Sequence, residues 1–409
     1  MNTVLRANLF LLFLVAVFDP ADQVTHLKVP LFVSLWIIFI IDMLVSKERM
    51  APIADSLLIY ILVFAVVLPL TSILWYFLRG GHPASYDGFQ YFKSYLFLTL
   101  AAVLVIKKID AIRPLSIVLT FLSVITVVST ILTYNDPGLI QVLGVIGDAS
   151  GTFAIGERSY ADLSYFLVYF QTAPLLVLSL AYFTYRSVTS KSRARYLNIA
   201  LLLVNLVAML SSGTRNDMIL GLLTPLLVLL WYSSKNRKLA LFAVLLVGVA
   251  IVGSYGSEII QAMFDPENES NAIKLTHLRD YGVLFSDPKT LLFGQGLGSS
   301  FYSSGFGTET SITELTYLEY IRNFGLVFAT IYYVLLLYPL AILRDQKYRK
   351  DHYLIVAYVS YLIICVSNPL LISSSGMLVL AIVLSKVFPV AESSPGPVSP
   401  GVHAQQQPA

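Results

Sequence analysis

A small group of cationic side chains has the types and spacing expected of an anion-binding site. Arg215 lies in the short segment Ser211–Asp217 between two apolar runs. Further along the chain, Lys274 precedes His277 by three residues, on roughly the same face of a helix, and Arg279 follows. Guanidinium groups bind phosphate oxygens in a bidentate geometry. These residues therefore predict binding of an anion such as a diphosphate at a membrane boundary.

Each of these side chains also has a plain structural interpretation. Arg215 could cap a helix or bind lipid headgroups, and Arg279 could anchor a helix at the membrane interface. Lys274 and His277 could form a solvated helix face. Several such groups on one side of a membrane favour anion binding over separate structural roles.

Carboxylates near the last long apolar runs could supply a base. Glu314, with Glu309 as the alternative, would remove a proton from an acceptor hydroxyl during a group transfer. Arg322 lies inside an apolar run, where an unpaired arginine costs at least about 3 kcal/mol. Glu319, three residues earlier, is its expected partner. This pair is predicted to be structural rather than catalytic.

The composition shows what must position these residues. The 409-residue chain is 57% hydrophobic and 12% charged, with a mean hydropathy of +0.76. A chain of this size cannot hide that much apolar surface in a soluble core. The composition excludes a soluble enzyme, a disordered protein and a nucleic-acid binder. The single cysteine, Cys365, excludes a disulfide framework and a cysteine-based metal site.

The apolar runs predict an all-α integral membrane protein with about twelve transmembrane helices. A bilayer core of roughly 30 Å takes about 20 apolar residues per helix. Residues 1–388 would form one polytopic membrane domain, and the Pro-, Ser- and Gln-rich tail 389–409 would be disordered. The predicted spans are 4–18, 29–46, 53–78, 89–106, 114–134, 160–185, 196–212, 217–232, 239–257, 315–343, 353–370 and 372–388.

The distribution of basic residues predicts the orientation. With loops assigned alternately to the two sides, 18 of the 27 lysines and arginines fall on one side, which is therefore predicted to be cytoplasmic, with both termini. The opposite side carries two long segments, 135–159 and 258–314. Connections this long are usually functional or disordered. Arg158, beside Glu157, ends the shorter one.

The longer external segment contains two recognisable features. Its residues Asn271–Ser286 have the pattern of an amphipathic helix at the membrane interface. The run Gly294-Gln-Gly-Leu-Gly298 has no preceding Rossmann strand, so it does not indicate a dinucleotide fold. The glycines predict close backbone approach to a ligand or to the membrane helices.

These motifs together resemble a known superfamily. The run Leu291-Leu-Phe-Gly-Gln-Gly-Leu-Gly298, followed by Thr313-Glu-Leu-Thr-Tyr-Leu-Glu-Tyr-Ile-Arg-Asn-Phe-Gly325, looks like the O-antigen polymerase (Wzy-type) and O-antigen ligase superfamily. Ser212-Gly-Thr-Arg215 resembles its Ser-x-x-Arg hairpin. About twelve spans and one large external loop before the tenth also fit, so the resemblance covers most of the chain.

The resemblance implies a metal-independent glycosyltransferase of the bacterial inner membrane that needs no cofactor. Its donor would be an undecaprenyl-diphosphate-linked glycan on the periplasmic face, and its partners would be membrane lipids, a chain-length regulator and a flippase, with no nucleic acid. Arg215 and Arg279 would bind the diphosphate. Ligases have a histidine as proposed base where this chain has Glu314, which favours a polymerase. The candidate substrate-binding residues are Arg158, Lys274, His277, Tyr317 and Arg322.

Three other functions remain open from the sequence. The first is an O-antigen ligase-type glycan transferase. The second is a lipid-linked oligosaccharide flippase or transporter, which would more often show mid-membrane charges and short loops on both faces. The third is a non-catalytic scaffold or sensor, which would not need arginines at the membrane boundary.

Overall fold

Helices dominate the computed structural model, which describes residues 2–46, 55–81, 87–136, 138–160, 163–233, 265 and 269–388. The helices are α1 (Asn2–Phe18), α2 (Lys28–Ser46), α3 (Asp55–Leu78), α4 (Gly88–Ile106), α5 (Ile112–Asn135), α6 (Gly138–Ser150), α7 (Leu176–Thr189), α8 (Ser192–Ser211), α9 (Arg215–Tyr232), α10 (Glu269–Leu284), α11 (Pro288–Phe293), α12 (Thr316–Leu343), α13 (Tyr353–Ile364) and α14 (Ser374–Val387). Two antiparallel hairpins interrupt them, β1 (Phe153–Tyr160) with β2 (Leu163–Phe170) and β3 (Phe301–Ser303) with β4 (Thr308–Thr310).

Six helices in the described ranges are long and apolar enough to cross a bilayer, namely α2, α3, α4, α5, α8 and α12. Each coincides with a predicted span, so the prediction of a mainly helical protein with apolar helices of membrane-spanning length is confirmed. The shorter apolar helices α1, α13 and α14 occupy three further predicted positions. The predicted span at 239–257 and the predicted tail at 389–409 lie outside the described residues, and the total of twelve stays a prediction.

The predicted sixth span, residues 160–185, is wrong over its first half. Residues Leu163–Phe170 form β2, which pairs with β1 so that Ala154 lies opposite Tyr169. A hydropathy scan counts apolar residues and does not separate an eight-residue strand from half a span. The aromatic residues of this run favour a strand. The segment 135–159, predicted to be a loop, accordingly forms α6 and most of β1.

Two kinds of contact hold the helices that carry the site. Helix α14 packs against α4 and α12, and every residue from Ser374 to Leu384 is buried. Helices α5, α7 and α8 meet at the buried Asn205, whose Oδ1 accepts hydrogen bonds from Ser123 Oγ at 3.0 Å and Ser179 Oγ at 2.7 Å. A polar side chain in an apolar bundle is stabilised by hydrogen bonds to side chains of neighbouring helices. Helix α9 then packs on α7.

The prediction of close backbone approach at Gly294–Gly298 is confirmed. All three glycines of this segment have positive φ angles, and a Cβ atom at Gly294 would lie 2.5 Å from the amide nitrogen of Gly325. Gly325 has a φ of 69° and a ψ of 164°, which interrupts α12. At this break the Gln295 N–H donates to the Arg322 carbonyl at 2.6 Å. The segment therefore docks into the interrupted helix.

The predicted helix is present as α10, but it lacks the expected separation into an apolar and a polar face. Its buried side chains include His277 and Tyr281, whereas Leu275 and Leu278 are exposed. The helix thus directs these polar and aromatic groups into the protein and these apolar ones outward. Its location at a membrane interface stays a prediction.

Candidate functional site

The buried ion pair between Arg322 and Glu319 organises the segment that precedes α12. Arg322 Nε and Nη2 bind Glu319 Oε2 at 2.9 and 2.7 Å, which confirms the predicted pair. Arg322 Nη1 donates to the backbone oxygen of Ser299 at 2.6 Å, and Nη2 also donates to the Ser311 carbonyl at 2.7 Å. Arg322 was also a predicted substrate contact. That role does not fit this structure, because the side chain is fully buried and its donors bind the protein itself.

The second oxygen of Glu319 extends this network to α10. Glu319 Oε1 accepts hydrogen bonds from the Tyr281 hydroxyl at 2.6 Å and from the Thr313 N–H at 2.8 Å. A buried carboxylate is stable only when such donors compensate its desolvation. The network fixes the residue next to Thr313, which is Glu314, beside α10.

A cavity of about 790 Å³ lies between six parts of the chain. These are the α1–α2 connection, the β1–β2 hairpin, the turn before α9, the start of α10, the segment before α12, and the break between α13 and α14. The charged residues that line it are Arg215, Asp217, Lys274 and Glu314. Three of the predicted site residues, Arg215, Lys274 and Glu314, are therefore brought together. A cavity of this volume is in the range that holds a small-molecule or sugar ligand.

The turn before α9 places Arg215 at the cavity. Gly213 has a φ of 68°, which reverses the chain at little steric cost, and Thr214 takes the extended N-cap conformation. Arg215 is then the first residue of α9, where the helix dipole adds a partial positive charge. Its Nη1 atom donates to Asn271 Oδ1 at 2.5 Å, which joins the turn to α10.

Helix α10 contributes the second cation. Lys274 lies three residues after Asn271, on the same face of the helix, and its Nζ atom is 3.2 Å from Glu314 Oε2. The two side chains are 29% and 41% exposed, so both are open to the cavity. The site therefore contains two cations and one accessible carboxylate.

Apart from the buried Asp217, the remaining polar wall of the cavity is uncharged. Asn216 Nδ2 donates to Ser367 Oγ at 2.7 Å, and Asn368 Nδ2 donates to the Tyr169 hydroxyl at 2.6 Å. The Asn368 carbonyl accepts from Thr316 Oγ1 at 2.8 Å. Because Asn216 follows Arg215 in sequence, the uncharged wall directly adjoins the cationic one.

Three predicted site residues lie elsewhere. Arg279 is exposed on α10 and does not line the cavity. His277 is buried against Ser303 Oγ, 2.9 Å from its Nε2 atom, and burial lowers the pKa of the imidazole. Tyr317 donates to the Leu362 carbonyl at 2.9 Å. His277 and Tyr317 thus pack within the protein, whereas Arg279 lies on an exposed surface, and none of the three lines the cavity.

Two further candidates have different outcomes. Arg158 belongs to β1, opposite Tyr165, but its side chain lies outside the described part of the structure. Glu309, the alternative base, is exposed on β4 opposite Tyr302 and does not line the cavity. Glu314 is thus the carboxylate of this predicted pair that reaches the site.

Sequence reasoning did not single out most of the cavity wall, including Asp217 and Asn368. Asp217 is fully buried, accepts from Ser212 Oγ at 3.3 Å, and has an Oδ1 atom with no hydrogen-bond partner among the described residues. Its signal was the spacing Thr214-x-x-Asp217, which is typical of a helix start. Asn368 was marked by the Asn-Pro pair that interrupts an apolar run.

No protein-family model and no curated protein matches this chain. The resemblance described above therefore rests on the motifs themselves. Within the described ranges, no three His, Cys, Asp or Glu side chains form a group that could hold a metal ion.

Proposed function

We propose that this protein is a membrane glycosyltransferase that polymerises undecaprenyl-diphosphate-linked oligosaccharide repeat units, as an O-antigen or exopolysaccharide polymerase. The observation that carries the proposal is the convergence of Arg215, Lys274 and Glu314 on one cavity of about 790 Å³. Two cations suit the diphosphate of the donor, and the carboxylate suits the hydroxyl of the acceptor.

The cationic wall supports binding of the donor. The Arg215 guanidinium and the Lys274 ammonium both line the cavity, and the N-terminus of α9 adds its dipole to the same place. Charge on the leaving diphosphate grows during transfer, so fixed cations stabilise the transition state more than the ground state. The proposal assigns to Lys274 the role that the resemblance gave to Arg279.

The reaction is a single displacement with inversion at the anomeric carbon. An acceptor hydroxyl oxygen forms the new glycosidic bond while the bond between the anomeric carbon and the diphosphate breaks. Glu314 takes the hydroxyl proton, and the electron pair leaves with the lipid diphosphate. Lys274 neutralises Glu314 through the 3.2 Å ion pair. A bound diphosphate would attract Lys274 and free the carboxylate to act as base.

The distribution of basic residues supports a cellular location and an orientation for the protein. We assign the protein to the bacterial inner membrane, with both termini cytoplasmic and the cavity on the periplasmic face. The excess of lysine and arginine in the loops opposite the cavity supports this assignment. A lipid diphosphate carries its charges at the membrane boundary, which is where a donor on that face would present them.

The proposal is tested by the length distribution of cell-surface polysaccharide. A strain that relies on Arg215→Ala should produce no long chains, whereas Lys289→Ala, an exposed lysine of α11, should produce a normal ladder. The variant proteins must accumulate in the membrane equally. Long chains from Arg215→Ala at normal protein level would contradict the proposal. Loss of transfer to lipid A–core, with polymer still made, would instead indicate a ligase.

A further inference from the structure

The uncharged wall of the cavity has a chemistry distinct from that of its cationic wall. Its polar members are Asn216, Ser367, Asn368, Tyr169 and Gln171. Side-chain amides and hydroxyls both donate and accept hydrogen bonds, which matches the hydroxyl groups of a sugar. They offer no charge to attract a phosphate. This wall is therefore suited to a neutral polyhydroxylated group.

Asp217 limits what can bind beside this wall. Its carboxyl group lines the cavity, is fully buried, and has one oxygen without a hydrogen-bond partner among the described residues. A phosphate oxygen placed there would meet another hydrogen-bond acceptor and would leave Asp217 Oδ1 without a donor. A hydroxyl group would instead supply the missing donor. Asp217 thus favours a hydrogen-bond donor next to Arg215 on this side.

The uncharged wall adjoins both Arg215 and the segment that carries Glu314. Asn216 follows Arg215 directly, and the Asn368 carbonyl is bonded to Thr316, two residues after Glu314. In a lipid-diphosphate-linked glycan the first sugar is attached to the diphosphate itself. A diphosphate on Arg215 would therefore bring that sugar against Asn216 and Asp217.

We infer that Asn216, Asp217, Asn368 and Tyr169 form a binding subsite for the uncharged sugar attached to the diphosphate of the donor. This inference rests on the proposed function and names the part of the substrate that the uncharged wall recognises. The amide groups hold sugar hydroxyls, and Tyr169 orients Asn368 through the 2.6 Å bond from the amide nitrogen. The subsite thereby selects which lipid-linked repeat can react.

Two probes separate sugar recognition from diphosphate recognition. Dissociation constants are measured for purified protein with undecaprenyl diphosphate, which has no sugar, and with the complete lipid-linked repeat unit. Asn216→Ala and Asn368→Ala should weaken binding of the repeat about tenfold, because each loses a hydrogen bond, and change binding of undecaprenyl diphosphate less than about twofold. Asn135→Ala, an exposed asparagine at the end of α5, should change neither.

The outcomes are distinct. Equal weakening of both ligands, or no weakening of either, would overturn the inference and leave the proposed function standing. Wild-type protein that binds neither ligand would overturn the proposed function and the inference with it. Tyr169→Phe removes one hydroxyl group and is the variant to use if Asn368→Ala does not fold. It should show the same selective loss to a smaller degree.

Discussion

Lys274 Nζ lies 3.2 Å from Glu314 Oε2 at the edge of the cavity, and this ion pair joins α10 to the segment that leads into α12. Both side chains are partly exposed, so the pair contributes little to stability. Under the proposed function, the pair places Glu314, the proposed base, in contact with Lys274, a proposed cation for the diphosphate.

Lys274 and Arg279 give opposite expectations for mutation. The cavity predicts that Lys274→Ala abolishes long-chain polysaccharide, because this cation lines the site. It predicts that Arg279→Ala, on an exposed face of α10, leaves the chain-length ladder nearly unchanged. The resemblance alone predicts that Arg279→Ala abolishes long chains and assigns no role to Lys274. Gel ladders of cell-surface polysaccharide decide between these expectations, with Lys289→Ala as the control. A normal ladder from Lys274→Ala would remove that residue from the site.

The buried Arg322–Glu319 ion pair is expected to contribute to the stability of the folded protein. Arg322→Met leaves Glu319 buried without its counter-ion, which is expected to lower the free energy of unfolding by about 3–5 kcal/mol. Denaturant unfolding of the protein in detergent measures this change. The matched control is Lys347→Met, whose partner Asp345 is 3.9 Å away and exposed, and whose expected change is below about 1 kcal/mol. Similar small changes in the two variants would show that the buried pair is dispensable.

The docking of the glycine segment predicts a difference between two glycines. Gly294 and Gly307 both have positive φ angles, so alanine is strained at each. A Cβ atom at Gly294 would also collide with the backbone of Gly325, whereas Gly307 faces open space. Gly294→Ala should therefore lower the melting temperature clearly more than Gly307→Ala. Equal shifts in thermal unfolding would mean that this backbone contact is not tight.

The buried imidazole of His277 predicts a pH dependence of stability. Burial lowers the pKa of His277 below its usual 6.5, so the unfolded chain takes up a proton at a higher pH than the folded chain does. The stabilising effect of the neutral ring is fully present above about pH 6.5 and is lost as the pH falls toward the folded-state pKa.

Thermal unfolding across this range tests the effect. Between about pH 7.5 and about pH 5.5, the melting temperature of His277→Gln should fall less than that of the wild type. His26→Gln, an exposed histidine in the α1–α2 connection, should follow the wild type. A slope that is unchanged in His277→Gln would assign the pH dependence to other groups.

Much of the site could be predicted from local spacing. The separation of three residues between Glu319 and Arg322 gives an ion pair on any helix, and the Ser-Gly-Thr-Arg215 turn lies between two apolar runs. Helix geometry also argues against the expectation that Lys274 and Arg279 both face one anion-binding site. Five residues on a helix separate two side chains by about 140°, so a single cavity does not easily receive both.

The rest depends on contacts that no local pattern contains. The strand Leu163–Phe170 resembles part of a span in composition, and only its pairing with β1 shows otherwise. Asn216 is hydrogen-bonded to Ser367, which is 151 positions away in sequence, and Asn368 is hydrogen-bonded to Tyr169, which is 199 positions away. Such pairs form because whole helices pack together, so the uncharged wall could not be predicted from the sequence alone.

The most direct test of the central claim is polymerisation by purified protein in vesicles supplied with radiolabelled lipid-linked repeat unit. Wild-type protein is predicted to form a ladder of longer lipid-linked chains, and Arg215→Ala and Glu314→Gln are predicted to slow it at least about a hundredfold. Glu309→Gln, with an exposed carboxylate outside the cavity, should retain the wild-type rate. A normal ladder from Arg215→Ala, or translocation of the repeat without any polymer from the wild type, would contradict the account.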